Sequence, residues 1–317
     1  MVDKSRNWLR AFVRNVGSVF GNRPASDVKF KKLDRRLDRI ERKLVMLDKI
    51  WLRTRHVEPS IQAVLRQLYL DAETLPYPER LIARRFRLSS QNQEDGLTAA
   101  LLKEAGVVTR RFVEIGSGLS GGNSAFLAHE WGWAGLMVDG DVPRMEQVGR
   151  RFPTVTSVGA WVTRENLNDL ILTHGFGGEI DLFSLDLDGI DFWAWEAMTA
   201  CSPRVVILEY NSGFGPERAV TVPYDPQFSR DRYHTMYYGA SLAALTRLSA
   251  RKGYRLVVGE PAGVNAFFLR NDVAPHVPAC DPKRAFHVLE KHDVLMRQGQ
   301  DVFRYAAESG LPLVEVN

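Results

Sequence analysis

From residue 111 onward, short apolar runs alternate with stretches of helical periodicity. The apolar runs are 111–116, 135–139, 154–159, 180–186, 204–210, 254–259 and 265–270. Their length and β-branched or aromatic content predict strands. Helical segments separate most of them, near 121–131, 142–151, 164–174, 190–200 and 240–252. Such alternation predicts an α/β fold, a doubly wound parallel sheet covered by helices on both faces. The last two runs are joined only by the turn Glu260-Pro-Ala-Gly-Val-Asn265. A parallel pairing needs a dozen or more linking residues, so this joint is a hairpin. The sheet is therefore expected to have seven strands with the last one antiparallel. Residues 275–317 add a mixed helical extension.

Upstream the pattern changes. In residues 4–20, Trp8, Leu9, Phe12, Val13, Val16, Val19 and Phe20 recur at helical spacing, with Lys4, Arg6, Arg10 and Arg14 mainly between them. A short helix with an aromatic face and a basic face suits a membrane interface. From Phe30 a heptad begins, with Phe30, Leu37, Leu44 and Trp51 at a and Leu33, Ile40, Leu47 and Thr54 at d. Arg36 and Lys43 at g meet Glu41 and Asp48 at the following e′ of a parallel partner, whereas an antiparallel pairing sets like charges together. The expected organisation is a basic amphipathic arm (1–28), a parallel coiled coil that makes a homo-oligomer (29–55) and a helical connector (56–88). An α/β domain (89–274) and the C-terminal extension (275–317) follow.

Composition adds a compartment and a charge asymmetry. Among 317 residues only Cys201 and Cys280 are cysteines, which excludes a disulfide scaffold and fits a reducing, cytoplasmic setting. No apolar run approaches the roughly 18 residues of a membrane span. Residues 1–55 hold 16 Lys and Arg against 6 Asp and Glu, so they carry +10 within a chain whose net charge is +4. A basic arm on a mildly acidic body predicts a separate anionic partner for the arm. Its aromatic stripe selects the inner surface of an anionic membrane over nucleic acid.

The candidate chemistry lies where the predicted strands end. Arg111-Phe-Val-Glu-Ile-Gly-Ser-Gly-Leu-Ser-Gly121 reads as a strand, a glycine turn and a helix start. Ligands of open parallel sheets bind at such carboxyl ends. Gly116, Gly118 and Gly121 also fit a dinucleotide fingerprint. Glu114 favours a cationic ligand, S-adenosylmethionine (SAM), over a pyrophosphate. Asp139 ends the next strand, where a carboxylate can hold both ribose hydroxyls. Asp186 and Asp188 are two apart on the fourth strand and share a face. Glu209 and Asn211 repeat that spacing on the fifth. These four oxygen-bearing groups form one expected acidic pocket, suited to Mg²⁺ or Mn²⁺. Asp188 and His234 are the catalytic candidates, His234 as the base in a long segment before the next helix.

These residues resemble a family. Glu-x-Gly-x-Gly, the Asp after the second strand, the acidic fourth strand and the closing hairpin look like a Rossmann-like class I SAM-dependent methyltransferase. More narrowly, Ser90-Gln-Asn-Gln-Glu-Asp-Gly96, the glycine turn, residues 180–193, Val205–Asn211, Tyr237–Leu245 and Gly263–Arg270 resemble FkbM-type methyltransferases of sugar and polysaccharide biosynthesis. The resemblance spans about residues 89–272. It implies that Glu114, Gly116, Ser117 and Gly118 hold the methionine end of SAM, with Asp139 on the ribose. It places Ala160 and Trp161 beside the adenine and Asp186 on the sulfonium side. The implied function is O-methyl transfer to a sugar hydroxyl of a glycan. The competing expectations are an NAD-dependent oxidoreductase and a non-catalytic membrane adaptor.

Overall fold

The seven apolar runs form the seven strands of one sheet. They are β1 (Arg111–Ile115), β2 (Ala134–Asp139), β3 (Val155–Gly159), β4 (Gly178–Leu185), β5 (Cys201–Glu209), β7 (Tyr254–Gly259) and β8 (Asn265–Arg270), and their spatial order is β3-β2-β1-β4-β5-β8-β7. The intervening β6 (Val220–Thr221) pairs with β9 (Val314–Glu315) in a separate two-stranded ribbon. β1 to β5 pair in parallel, and β8 runs antiparallel to both β5 and β7. This computed structural model describes residues 72–317 except 234 and 235, together with positions 43, 46 and 61. The amphipathic segment 4–20 lies outside the described residues. So does the heptad segment 30–54, apart from Lys43 and Met46, which are helical and exposed. The chain divides into two compact units, 1–58 and 59–317, and the second is described here.

Helices cover both faces of the sheet. Leading into it are α1 (Glu79–Ile82) and α2 (Glu94–Ala105). One face carries α2, α3 (Ala125–Trp131) and α4 (Val142–Arg151), packed on Phe112, Met137, Leu182, Val205, Ile207 and Phe267. The other carries α5 (Leu167–Thr173), α6 (Asp191–Ala197) and α7 (Leu242–Arg251) over Val113, Leu136, Phe183, Val206, Leu208 and Phe268. Alternate residues of each strand thus feed two cores. Local caps fix the helix starts. Asp141 accepts Arg144 N at 3.0 Å with Pro143 in the first turn, and Ser241 accepts Ala244 N at 3.1 Å. The extension supplies α8 (Pro282–Ala285), α9 (Glu290–Arg297), α10 (Val302–Glu308) and β9. Among the described residues no helix is long and apolar enough to cross a membrane.

Entry into β1 is set by a buried carboxylate. Asp181 on β4 accepts Val108 N (2.9 Å), Thr109 N (2.8 Å) and Arg110 N (2.6 Å), and also Thr109 Oγ1 at 3.0 Å. These bonds place the start of β1 against β4 and so define the register at the strand ends opposite. Removing the acceptor orphans three amides at roughly 1–3 kcal/mol each. Asp181→Ala is therefore expected to destabilise the fold by about 3–5 kcal/mol, read as a shifted denaturant midpoint. A shift below about 1 kcal/mol would mean that these bonds do not hold the loop.

Candidate functional site

The chain leaves β1 through a turn that two glycines permit. Gly116 donates to Val138 O at 2.8 Å and has φ +81°, and a Cβ there would lie 1.6 Å from Asp186 O. The ends of β1 and β4 can approach this closely only over glycine. Gly118 differs. Its φ is +56°, and a Cβ would have no neighbour within 4 Å because it would enter an open cleft. Asp139 fixes the turn, with Oδ2 accepting Gly118 N at 2.9 Å and Oδ1 accepting Asp141 N at 2.9 Å. The cleft, about 490 Å³, lies over the switch point between β1 and β4. Of the residues singled out from the sequence, Gly116, Gly118, Asp139, Trp161, Asp186 and Asp188 line it. Asp141, Arg144, Pro226 and Phe228 complete it without having been singled out.

Three predicted ligand residues stand behind this wall rather than on it. Glu114 is fully buried beneath the turn and accepts Ser184 Oγ (3.0 Å), Asn123 N (3.1 Å) and, at short range, Ser124 Oγ. It ties β1 to the start of α3 and to β4, so its carboxylate buttresses the glycine turn instead of facing a ligand. Burial, the largest influence, pushes its pKa up to about 7. Ser117 is buried against Met145, with Oγ 3.5 Å from the sulfur. Ala160 packs on the core and donates to Asp139 O at 2.9 Å, which leaves Trp161 alone at the cleft.

The expected acidic pocket forms with a different membership. Asp186, Asp191 and Glu209 bring carboxylate oxygens within 4.8 Å of one another. Asp191 was not anticipated. It starts α6 and accepts Leu187 N at 2.7 Å and Gly189 N at 3.0 Å. Asp188 leaves the cluster because its φ of +53° ends the strand alternation that would have aimed it with Asp186. It is exposed, at the cleft rim, and paired with Arg230. Asn211 also leaves it. Its Nδ2 donates to Met236 O (2.7 Å) and Tyr238 O (2.8 Å) and its Oδ1 accepts Gly213 N (2.8 Å), so it serves the loop that follows β5. Burial first, then repulsion from neighbouring carboxylates, holds Asp186 and Glu209 well above the usual carboxylate range, and burial, opposed by the amides of Leu187 and Gly189, holds Asp191 at about 6. Glu209 Oε2 is buried and has no hydrogen-bond partner.

A loop closes the cleft from above. Val222 N donates to Gly239 O at 3.0 Å and so joins the two ends of the Ω-like loop after β6, of which residues 222–233 and 236–239 are described. Its carbonyl at Pro226 accepts Trp161 Nε1 at 2.7 Å, and Tyr224 hydrogen-bonds Glu165. Phe228 fills the space above Gly189, where a Cβ would lie 2.2 Å from its ring. Arg230 lies 3.9 Å from the centroid of the Tyr238 ring. His234, the predicted base, lies outside the described residues.

No protein-family model matches the chain, and no curated protein matches it. Solved structures do. A TehB-like SAM-dependent methyltransferase from Corynebacterium glutamicum is 12% identical over 55% of this chain and 86% of its own, with a TM-score of 0.31. An S-adenosylmethionine-dependent methyltransferase from Clostridium acetobutylicum is 8% identical over 67% and 98%, with a TM-score of 0.35. A SAM-dependent methyltransferase from Archaeoglobus fulgidus is 16% identical over 53% and 74%, with a TM-score of 0.32. Likenesses this distant carry no inference about chemistry or substrate. The Rossmann-like α/β class follows from this chain's own strand order and register.

The raised carboxylates set a pH dependence. A carboxyl that titrates at about 7 in the fold and near 4.5 when unfolded binds its proton more tightly in the fold. The resulting stabilisation is complete below about pH 4.5 and is lost as pH rises through 7. Glu260 at about 8 and Asp191 at about 6 act in the same direction. Stability should therefore fall from pH 5 to pH 8. Glu114→Gln should flatten that slope, by up to about 3 kcal/mol across the interval. Parallel slopes for the two proteins in thermal melts would contradict the buried-carboxyl account of Glu114.

Proposed function

We propose that the chain is a SAM-dependent methyltransferase that transfers a methyl group to a sugar hydroxyl of a glycan. The observation that carries this reading is one cleft with two chemically distinct ends. Gly118, Asp139 and Trp161 offer backbone, carboxylate and aromatic surface to a nucleoside. Asp186 lies where a sulfonium would be held, and a bound cation there would favour its ionised form. A cleft of about 490 Å³ falls within the usual range for a cofactor of that size. The open position over Gly118 fits a ligand that approaches the backbone closely.

SAM, when bound, supplies a methyl group already activated by its sulfonium. The residues then have to bind, orient and move a proton. Asp139 and Trp161 hold the nucleoside end, and Asp186 stands at the end of the cleft where the sulfonium is held. Phe228 and Pro226 exclude water from above, and positioning of this kind can supply several kcal/mol. The acceptor hydroxyl belongs beside Asp186, Asp191 and Glu209. A divalent ion held by these three, whose oxygen donors and orphaned Oε2 fit one, would lower the hydroxyl's pKa. Asp188, paired with Arg230, ties the Ω-loop to the cleft rim.

Two measurements test the enzyme. In calorimetric titration the full chain should bind SAM and not NAD. Gly118→Val should fold, with about 1–2 kcal/mol of backbone strain, and lose SAM binding. Binding of NAD alone, or undiminished SAM affinity in the variant, would overturn the site. In methyl transfer from labelled SAM to fractionated cell-envelope glycans, excess chelator should stop incorporation and Mg²⁺ or Mn²⁺ should restore it. Full activity in chelator would remove the ion from the mechanism.

The arm has its own proposed role. Residues 4–20 lie on an anionic membrane surface, and the parallel coiled coil at 30–54 presents several copies at once. The support is the +10 charge of residues 1–55 and the aromatic stripe of residues 4–20. Each basic residue near such a surface contributes about 1 kcal/mol, and multivalency multiplies weak binding by roughly 10²–10⁴. Anionic vesicles should sediment the full chain at low salt, and Leu37→Asp/Leu44→Asp should release it. A full chain that stays in the supernatant would show that the arm serves another partner.

A further inference from the structure

The loop over the cleft has two limbs of unlike attachment. Its return limb is rooted in the core, where Met236, Tyr237 and Tyr238 are buried. Asn211 Nδ2 holds the carbonyls of Met236 and Tyr238, and Tyr237 donates to Pro312 O. The root is fixed as well, since Trp193 Nε1 donates to Val222 O at 2.9 Å and Thr221 Oγ1 to Gly239 O at 3.0 Å. The outgoing limb, residues 223–233, buries one side chain, Phe228. Its other ties to the cleft rim are polar and lie at the surface: Arg230 with Asp188, Tyr224 with Glu165 and Arg164, and Pro226 O with Trp161 Nε1. Exposed contacts of this kind are individually weak. The outgoing limb can therefore lift from the rim while its root and return limb stay in place.

Two of those ties, at Asp188 and Trp161, also line the cleft. Arg230 engages the charge of Asp188, so a cation in the cleft would compete for it. Trp161 differs, because it has two separate surfaces. Its backbone is held, with Trp161 O accepting Asn166 Nδ2 at 2.9 Å. Its ring is 56% exposed, lies over Gly140 where a Cβ would be 3.0 Å from Cε3, and donates from Nε1 to the limb's Pro226 O at 2.7 Å. The ring face is the surface offered to a nucleoside, and the ring edge holds the limb. Each partner fixes the same side-chain torsions, so whichever binds first removes part of the ordering cost for the second. Such coupling is reciprocal.

We propose that Trp161 is a positioning residue that closes the outgoing limb on the cofactor: a base stacked on its ring face holds the indole where Nε1 meets Pro226 O, and the limb settles over the cleft. This rests on the SAM-binding reading and adds an order to it. The cofactor enters while the limb is lifted, because Pro226 and Phe228 line the cleft that it fills. Arg230 reaches Asp188 only as the limb settles, so the rim beside the acidic cluster is complete only once the cofactor is in.

The test uses the full chain and S-adenosylhomocysteine, which carries the nucleoside and no transferable methyl. Trypsin cleavage of the Arg232–Tyr233 bond, followed by mass spectrometry, reports the lifted limb, because that bond must leave the rim to enter a protease. Saturating S-adenosylhomocysteine should slow this cleavage about 5-fold, the factor that one such hydrogen bond supplies. Trp161→Phe keeps a ring face and loses the N–H. At its own saturating ligand concentration the slowing should shrink to less than about 2-fold. Tyr224→Phe removes a tie outside the cleft, so it should speed cleavage equally with and without ligand and leave the wild-type ratio intact. A merely structural role for Trp161 would give Trp161→Phe that same pattern. Wild-type cleavage that the ligand does not slow, or equal slowing in Trp161→Phe, would overturn the proposal. Calorimetry on the same samples separates the two failures: a chain that takes up neither SAM nor S-adenosylhomocysteine fails the cofactor reading itself, and the closure with it.

Discussion

A parallel sheet gathers the ends of its strands at one edge, and in this chain that edge is where carboxylates are buried. Glu114, Asp186 and Glu209 sit at the ends of β1, β4 and β5, with Asp191 folding back from the next turn. Desolvation makes each of them costly, and each is retained for a different reason. Glu114 has donors from Ser124, Asn123 and Ser184, so it stabilises the turn that shapes the cofactor end. Asp191 has Leu187 N and Gly189 N, so it stabilises the turn after β4. Glu209 has an oxygen with no donor at all. Compensation at the first two and its absence at the third separates scaffold from site more clearly than charge does.

The strands and the helices between them were legible because their apolar patterns were unambiguous. β1 was expected at 111–116 and occupies Arg111–Ile115, and α4 was expected at 142–151 and occupies those residues. The hairpin followed from the brevity of its turn. The helix α2 was missed because the stretch was read for its motif, although Leu97, Leu101 and Leu102 at helical spacing signalled it. β6 and β9 have two residues each, too few to leave a period. Their pairing across the chain has no local signal.

The site was legible at the level of segments and not of side chains. The acidic ends of β1, β2, β4 and β5 were found and Glu260 after β7 was not, and alternation was extended one residue too far in Asp186-Leu-Asp188. A positive φ at a non-glycine residue is uncommon, and the one local sign of it is the Asp188-Gly189 pair, a turn signal that the strand reading passed over. That reversal moves Asp188 to the rim and brings Asp191 inward. Asn211 shows the same limit, since spacing placed it with Glu209 while its three hydrogen bonds draw it into the loop. Sequence spacing predicts where a residue sits on an element. Where a polar side chain points at the element's end depends on donors that come from distant segments.

Those distant segments give the C-terminal extension a reason to exist. Tyr210, directly after Glu209, hydrogen-bonds His287 O at 2.8 Å, and Ser212 Oγ lies 2.9 Å from His292 Nδ1. Tyr237 in the Ω-loop donates to Pro312 O at 2.6 Å. β9 pairs with β6, and the loop departs from the end of β6. Val302 and Ala306 of α10 pack with Phe214, Val220, Tyr237 and Tyr238. The extension therefore grips the side of the site proposed for the acceptor at three places: the exit of β5, the root of the loop and the loop itself. The cofactor side needs no such help, because Asp139 and Glu114 already fix the glycine turn from within the sheet. The acceptor side is made of loop, whose backbone has no strand to pair with. Residues 275–317 supply that missing framework, so the segment after β5 and the loop after β6 depend on the extension for their position.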